Sequence, residues 1–305
     1  MDIVKVEGLR KNYGKLTALD GLTFTADKGE IYGIIGPDGA GKTTLLRILA
    51  TLLLADEGTA TVEGYDVKTD YRMIRRNIGY MPGSFSLYQD LTVEENLKFF
   101  ASVFNVSIND NYGMVEDIYR QISPFKKRRA GKLSGGMKQK LALCCALIHA
   151  PQVLLLDEPT TGVDPVSRRE FWSSLLKLRA DYDITILVST PYMDEASWCD
   201  RISLIQSGQF MQTDTPEGIC RKYSEALLSV RSNDMHRLLS DLKACRLVKN
   251  SFAFGDSYHA ILHDDASPEL LTAALAEKGH NGIKIEKILP SVEDCFMSLM
   301  KNATR

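Results

Sequence analysis

The stretch Gly36-Pro37-Asp38-Gly39-Ala40-Gly41-Lys42-Thr43-Thr44 restricts this chain more than any other. Gly-x-x-x-x-Gly-Lys-Thr is the spacing of a phosphate-binding loop, and each residue type in it has a physical task. Gly36, Gly39 and Gly41 let the backbone curl with its N–H groups turned inward, where a Cβ would crowd the turn or the bound oxygens. Lys42 sets a point charge on the outer phosphates, and Thr43 offers a hydroxyl to Mg²⁺. The flanks agree: Ile31-Tyr32-Gly33-Ile34-Ile35 reads as a buried strand, and Leu45-Leu46-Arg47-Ile48-Leu49 reads as a helix with its N-terminus toward the anion. A glycine-rich turn is the bland alternative. Chance supplies the four fixed positions on the order of once per hundred chains of this length, so a nucleoside-triphosphate site is expected.

Two further motifs specify the kind of nucleotide site. Val153-Leu154-Leu155-Leu156-Asp157-Glu158 is an apolar strand ending in two carboxylates. Ligands gather at the carboxyl ends of parallel strands, so Asp157 can hold the Mg²⁺ that Thr43 also reaches, and Glu158 can polarise a water for attack on the γ-phosphate. Such a strand is common by itself; it gains force downstream of the phosphate loop and before Pro159-Thr160-Thr161-Gly162-Val163-Asp164. Between them lies Leu133-Ser134-Gly135-Gly136-Met137-Lys138-Gln139, where Ser-Gly-Gly opens a helix and offers a second anion cradle. A second cradle in one chain suits a different nucleotide, held by a partner chain. An ordinary N-cap at Ser134 accounts for the same residues.

In order and spacing, residues 1 to about 220 resemble the ATP-binding cassette family, the ATPase subunits of ABC transporters. The resemblance implies an α/β P-loop NTPase fold with antiparallel β and helical subdomains. It also implies head-to-tail pairing with a second cassette, as homodimer or heterodimer, around ATP and Mg²⁺. Carried over, Gly36, Pro37, Asp38, Gly39, Ala40, Gly41, Lys42, Thr43 and Thr44 bind phosphates, with Lys42 and Glu158 the catalytic pair. Thr43 and Asp157 are the metal ligands, and Tyr13 in Asn12-Tyr13-Gly14 stacks on adenine, although alone it reads as a turn tyrosine. Ser134, Gly135 and Gly136 face the partner's nucleotide, and Asp164 lies in the loop linking the two sites. The stretches 92–104, 111–122 and 135–149 would form the helical subdomain, which in this family receives a cytoplasmic helix of an integral membrane permease; their apolar side chains also serve as core.

Two positions depart from the family pattern. Gly83 follows Ile78-Gly79-Tyr80-Met81-Pro82 where the family usually has Gln, and Pro191 follows Thr185-Ile186-Leu187-Val188-Ser189-Thr190 where it has His. Glycine has no side chain to approach Mg²⁺ and water, and proline offers no donor. Binding is therefore expected intact and turnover slow. The main expectation is a transport-coupled ATPase powering export. The alternative is a degenerate cassette that mainly binds ATP and supplies its Leu-Ser-Gly-Gly to a competent partner. Non-transport cassettes of the translation and DNA-repair types carry a second cassette or a long coiled coil, and neither is in this sequence.

Composition narrows partners and location. Lys and Arg total 37 against 39 Asp and Glu, so no basic excess points to nucleic acid. The run Lys126-Lys127-Arg128-Arg129 reads as a solvated face. Met1 to Glu7 alternates like a strand rather than a signal peptide, and the longest apolar run, Leu45 to Ala55, is broken by Arg47 and too short to span a bilayer. Six cysteines without Cys-x-x-Cys spacing read as reduced structural thiols. The expected location is cytoplasmic, peripheral on the inner face of the cell membrane. From Lys222 the pattern changes to strands at 227–230, 251–262 and 283–288 with helices at 235–244 and 268–278, and a hairpin at Phe254-Gly255-Asp256-Ser257. The order β-α-β-β-α-β predicts a small ferredoxin-like α+β domain. Expected boundaries are 1–221 for the ATP-binding domain and 222–305 for the accessory domain.

Overall fold

A computed structural model describes residues 2–303, which fall into two compact units, Met1–Pro216 and Glu217–Arg305. In the first unit, β1 (Asp2–Tyr13) and β2 (Leu16–Asp27) form a long antiparallel hairpin, followed by β3 (Ile31–Ile35) and α1 (Lys42–Leu49). Strands β4 (Glu57–Val62) and β5 (Tyr65–Asp66) complete a four-stranded antiparallel sheet in the order β2-β1-β4-β5. Helix α2 (Tyr71–Asn77) leads into β6 (Ile78–Met81). Then come α3 (Val93–Val103), α4 (Tyr112–Ile122) and α5 (Gly135–Leu147). Strand β7 (Val153–Asp157), α6 (Pro165–Tyr182), β8 (Thr185–Thr190), β9 (Arg201–Gln206) and β10 (Gln209–Asp214) close the unit, and α7 (Pro216–Arg221) follows.

The central sheet runs β10-β9-β3-β8-β7-β6 and is parallel except for β10. Strands β3, β7 and β8 are buried at every position, which is why they read as unbroken apolar runs instead of alternating ones. Helix α1 packs between this sheet and the antiparallel one, joining Leu45, Leu46, Ile48 and Leu49 to Val4, Val6, Leu22 and Phe24 in one core.

Helix starts follow their sequence signals. Thr92 and Glu95 form a reciprocal capping box at α3, with the Glu95 amide donating to Thr92 Oγ1 at 3.2 Å and the Thr92 amide donating to Glu95 Oε2 at 2.8 Å. Asp164 caps α6, accepting from the amides of Val166 (3.1 Å) and Ser167 (3.0 Å), with Pro165 at the first helical position. Helix α5 ends at Leu147, so His149 lies beyond it rather than inside it.

The second unit contains β11 (Leu227–Arg231), α8 (Met235–Lys243), β12 (Val248–Phe254), β13 (Ser257–Leu262), α9 (Pro268–Glu277), β14 (Lys284–Ile288) and α10 (Val292–Ala303). Its sheet order is β12-β13-β11-β14 with every neighbouring pair antiparallel, the β-α-β-β-α-β arrangement of a ferredoxin-like fold. Leu238 and Leu242 of α8 and Leu271 and Leu275 of α9 form a core with Leu228, Val230 and Ala260. All six cysteines are free; four are buried, while Cys220 and Cys245 are partly exposed.

Candidate nucleotide site

The loop 36–41 leaves the carboxyl end of β3 and runs directly into α1. Two glycines are required by what surrounds them. A Cβ on Gly36 would fall 2.1 Å from the Ile205 carbonyl oxygen, and one on Gly41, at φ +106°, would fall 2.4 Å from the Ala18 carbonyl oxygen. Gly39 also has positive φ but faces open space. The loop is tied down by backbone bonds: Gly36 N–H donates to Thr190 O at 3.2 Å, and Gly208 N–H donates to Ala40 O at 3.0 Å. Asp38 and Gly39 are exposed, whereas Lys42 is buried, with a side chain only 3% accessible.

An ammonium has three protons to give. Lys42 Nζ donates to Gly36 O (2.8 Å) and Pro37 O (2.9 Å), and it forms an ion pair with Glu158 Oε1 at 3.0 Å. The next residue along the helix, Thr43, donates from Oγ1 to Asp157 Oδ1 at 3.0 Å. Four side chains from the two motifs thus meet at the carboxyl edge of the sheet. Thr44 lies half-buried on the first turn of α1. Thr43 and Asp157 present only hard oxygen donors, and few of them. That set suits Mg²⁺, which keeps several waters or phosphate oxygens in its shell.

Residue Ser189, which the motif reading passes over, is part of this cluster. It is fully buried in β8, opposite Asp157 in the parallel register, and its Oγ donates to Asp157 Oδ1 at 2.8 Å. Its signal in the sequence was a hydroxyl at the carboxyl end of an otherwise apolar strand. Thr160 and Glu195 form a separate buried pair, Thr160 Oγ1 donating to Glu195 Oε1 at 2.7 Å.

The remaining motif residues lie elsewhere. Ser134 is exposed and caps α5, its Oγ accepting from the Met137 amide at 3.4 Å. Gly135 and Gly136 have Gly162, Val163 and Ser167 as neighbours, not the phosphate loop; a Cβ on Gly136 would meet Ser167 at 2.7 Å. Asp164 is exposed, and the Ser167 bonds hold its carboxyl below the ordinary value. Tyr13 stands exposed at the end of β1, with the Lys11 ammonium 6.0 Å from its ring centroid. Gly83 adjoins the cluster: a Cβ there would lie 3.2 Å from the Asp157 carbonyl oxygen and 3.7 Å from Asp157 Oδ2.

The family profile described as ABC transporter matches residues 19–161, which hold all three motifs. The daunorubicin resistance ATP-binding protein DrrA2 of Streptomyces coeruleorubidus is 33% identical over 99% of this chain and 96% of its own length. The chain belongs to the ABC transporter ATP-binding family.

Another member, the Nod factor export ATP-binding protein I of Burkholderia lata, is 34% identical over 97% of this chain and 96% of that protein. The probable multidrug ABC transporter ATP-binding protein YbhF of Escherichia coli is 38% identical over 71% of this chain, and the match spans only 38% of YbhF. These names mark a drug-exporter-type subfamily. Among solved structures, a bacterial ABC transporter cassette determined as a dimer superposes with a TM-score of 0.63 at 25% identity, over 70% of this chain and 98% of that one. The cassette cbiO1 of Clostridium perfringens gives 0.65 at 25% identity, over 72% and 91%. Both are P-loop cassette ATPases in fold, matching the first unit's architecture.

Proposed function

We propose that this chain is the ATP-hydrolysing subunit of an exporter, paired with a second cassette around Mg-ATP and driving a separate integral membrane permease. The convergence of Lys42, Thr43, Asp157 and Glu158 carries this reading. The loop amides and Lys42 bind the phosphates, and Thr43 and Asp157 hold Mg²⁺, which supplies charge neutralisation on the phosphate oxygens when bound. Glu158 orients and deprotonates the attacking water. Tyr13, exposed, is free to stack on adenine. Ser134, Gly135 and Gly136, exposed or beside the 162–167 segment, address the nucleotide of the partner cassette, and Asp164 lies in the connecting loop. Relatives named for daunorubicin resistance and Nod factor export support the outward direction.

A cavity of about 270 Å³ in the first unit, walled by Leu52, Arg75, Phe100, Phe104 and His149, supports docking of a permease helix on the helical subdomain. Among the described residues no helix is long and apolar enough to cross a membrane; the proposed location is the inner membrane face, held there by that permease. No comparison lends support to the degenerate-cassette alternative. The proposed functional domains are 1–221 and 222–305, a boundary five residues past the Pro216/Glu217 division between the two compact units.

The test is Glu158→Gln. This variant should lose Mg²⁺-dependent phosphate release, keep ATP, and run as a dimer on size exclusion when ATP is present. Wild-type turnover in the variant would remove Glu158 from the mechanism.

A further inference from the structure

Glu158 has φ +49°, in the left-handed region that a non-glycine residue occupies at a cost. Something must hold it there. Its amide donates to two acceptors of one residue, the Ser189 carbonyl oxygen at 3.0 Å and Ser189 Oγ at 3.1 Å. The same hydroxyl donates its proton to Asp157 Oδ1 at 2.8 Å, the oxygen that also takes the proton of Thr43. A single buried hydroxyl therefore touches both consecutive acidic residues: the backbone of one and the carboxylate of the other.

That geometry has consequences for each carboxylate. Oδ1 of Asp157 receives two hydroxyl protons, which fixes the rotation of the carboxylate and leaves Oδ2 toward the space at Gly83. The left-handed turn at residue 158 sends the Glu158 side chain back across the loop to Lys42 instead of onward along β7. Ser189 is 0% exposed between apolar strands, where a hydroxyl without partners would be costly, and here both its donor and acceptor capacities are used.

We infer that Ser189 is the positioning residue of this site: its hydroxyl sets the Asp157 carboxylate for Mg²⁺ and the Glu158 backbone for the attacking water. This deepens the Mg-ATP reading and rests on it. Ser189 acts through the two acids and not by touching substrate.

Ser189→Ala removes one oxygen from a buried strand and should leave the fold standing, a point checked by its thermal midpoint. Hydrogen bonds to charged groups are worth enough that losing this one should lower kcat about tenfold or more. ATP affinity measured by calorimetry in EDTA should equal that of wild type, because the phosphate loop is untouched. The gain in affinity on adding Mg²⁺, and the Mn²⁺ occupancy read by electron paramagnetic resonance with a non-hydrolysable ATP analogue, should both fall severalfold. Ser189→Thr keeps the hydroxyl and should restore metal affinity and rate. Lys42→Ala, run beside them, reports on the underlying reading: if it leaves ATP binding in EDTA intact, the Mg-ATP assignment fails. If Lys42→Ala loses ATP while Ser189→Ala keeps wild-type metal affinity and kcat, the role of Ser189 is overturned and the site stands. Equal loss of ATP in EDTA and of the thermal midpoint in Ser189→Ala, unrepaired by Ser189→Thr, also overturns it in favour of a purely structural serine.

Discussion

Lys42 and Glu158 hold each other across the phosphate loop, Nζ to Oε1 at 3.0 Å, and this contact uses the third proton of a lysine whose other two go to Gly36 O and Pro37 O. A phosphate that approaches Lys42 must displace the carboxylate. Glu158 is 21% accessible, so the pair is partly screened and of modest strength. Replacing Glu158 with Gln removes the competing anion. Calorimetry without Mg²⁺ should then show ATP binding a few fold tighter than wild type, roughly the 0.5–1 kcal/mol of such a pair. Weaker binding would mean that Glu158 supports the cradle instead of occupying it.

His149 makes the stability of this unit depend on pH. Its Nε2–H donates to Ile78 O at 3.0 Å, its ring stacks on Phe104 at 3.7 Å, and Nδ1 is buried without a partner. Burial holds the imidazole below its ordinary value of 6.5, outweighing the opposing effect of the Ile78 bond. Below pH 6.5 the unfolded chain thus binds the proton more readily than the folded one. Stability from the neutral ring is present above that pH and is lost as pH falls through the depressed folded value. Thermal midpoints between pH 7 and 5 should drop less in His149→Gln than in wild type. Parallel curves would show that His149 does not contribute.

Gly83 and Pro191 bear on the rate of hydrolysis. A side chain at 83 would begin beside Asp157 Oδ2, where a Gln amide can meet metal and water. Its Cβ, 3.2 Å from the Asp157 carbonyl oxygen, requires the neighbours to give by a few tenths of an ångström, roughly the margin by which it is tighter than ordinary contact. One positioned donor at a charge-developing centre is worth about 10²–10³ in rate. The purified chain should hydrolyse ATP slowly, and Gly83→Gln with Pro191→His should raise turnover, with circular dichroism confirming the fold. Brisk cooperative hydrolysis by wild type and no gain in the double variant would make both residues harmless variation.

What could be read in the sequence follows physical lines. Lys42, Thr43, Asp157 and Glu158 were legible because phosphate chemistry demands those residue types at fixed spacing beside unbroken apolar strands. The accessory fold was legible because its strands and helices alternate with clear turns, Gly255 and Asp256 among them. Ser189 was not, since its partners lie 31 and 32 residues away and only the parallel register of β7 and β8 brings them together. Strand β10 escaped because Gln209–Asp214 is polar and partly exposed at the sheet edge, so no apolar period marks it. Helix α6 was passed over because its buried apolar residues Phe171, Trp172, Leu175 and Leu178 form only a narrow stripe on a long, charged helix.

The loop 36–44 is proposed to bind the phosphates of ATP through Lys42. Lys42→Ala removes the charge while leaving the glycine turn in place, and titration of ATP into the folded variant with Mg²⁺ present measures the consequence. Affinity at least about tenfold weaker than wild type, a loss of about 1.4 kcal/mol, is expected; unchanged affinity would contradict phosphate binding by this loop.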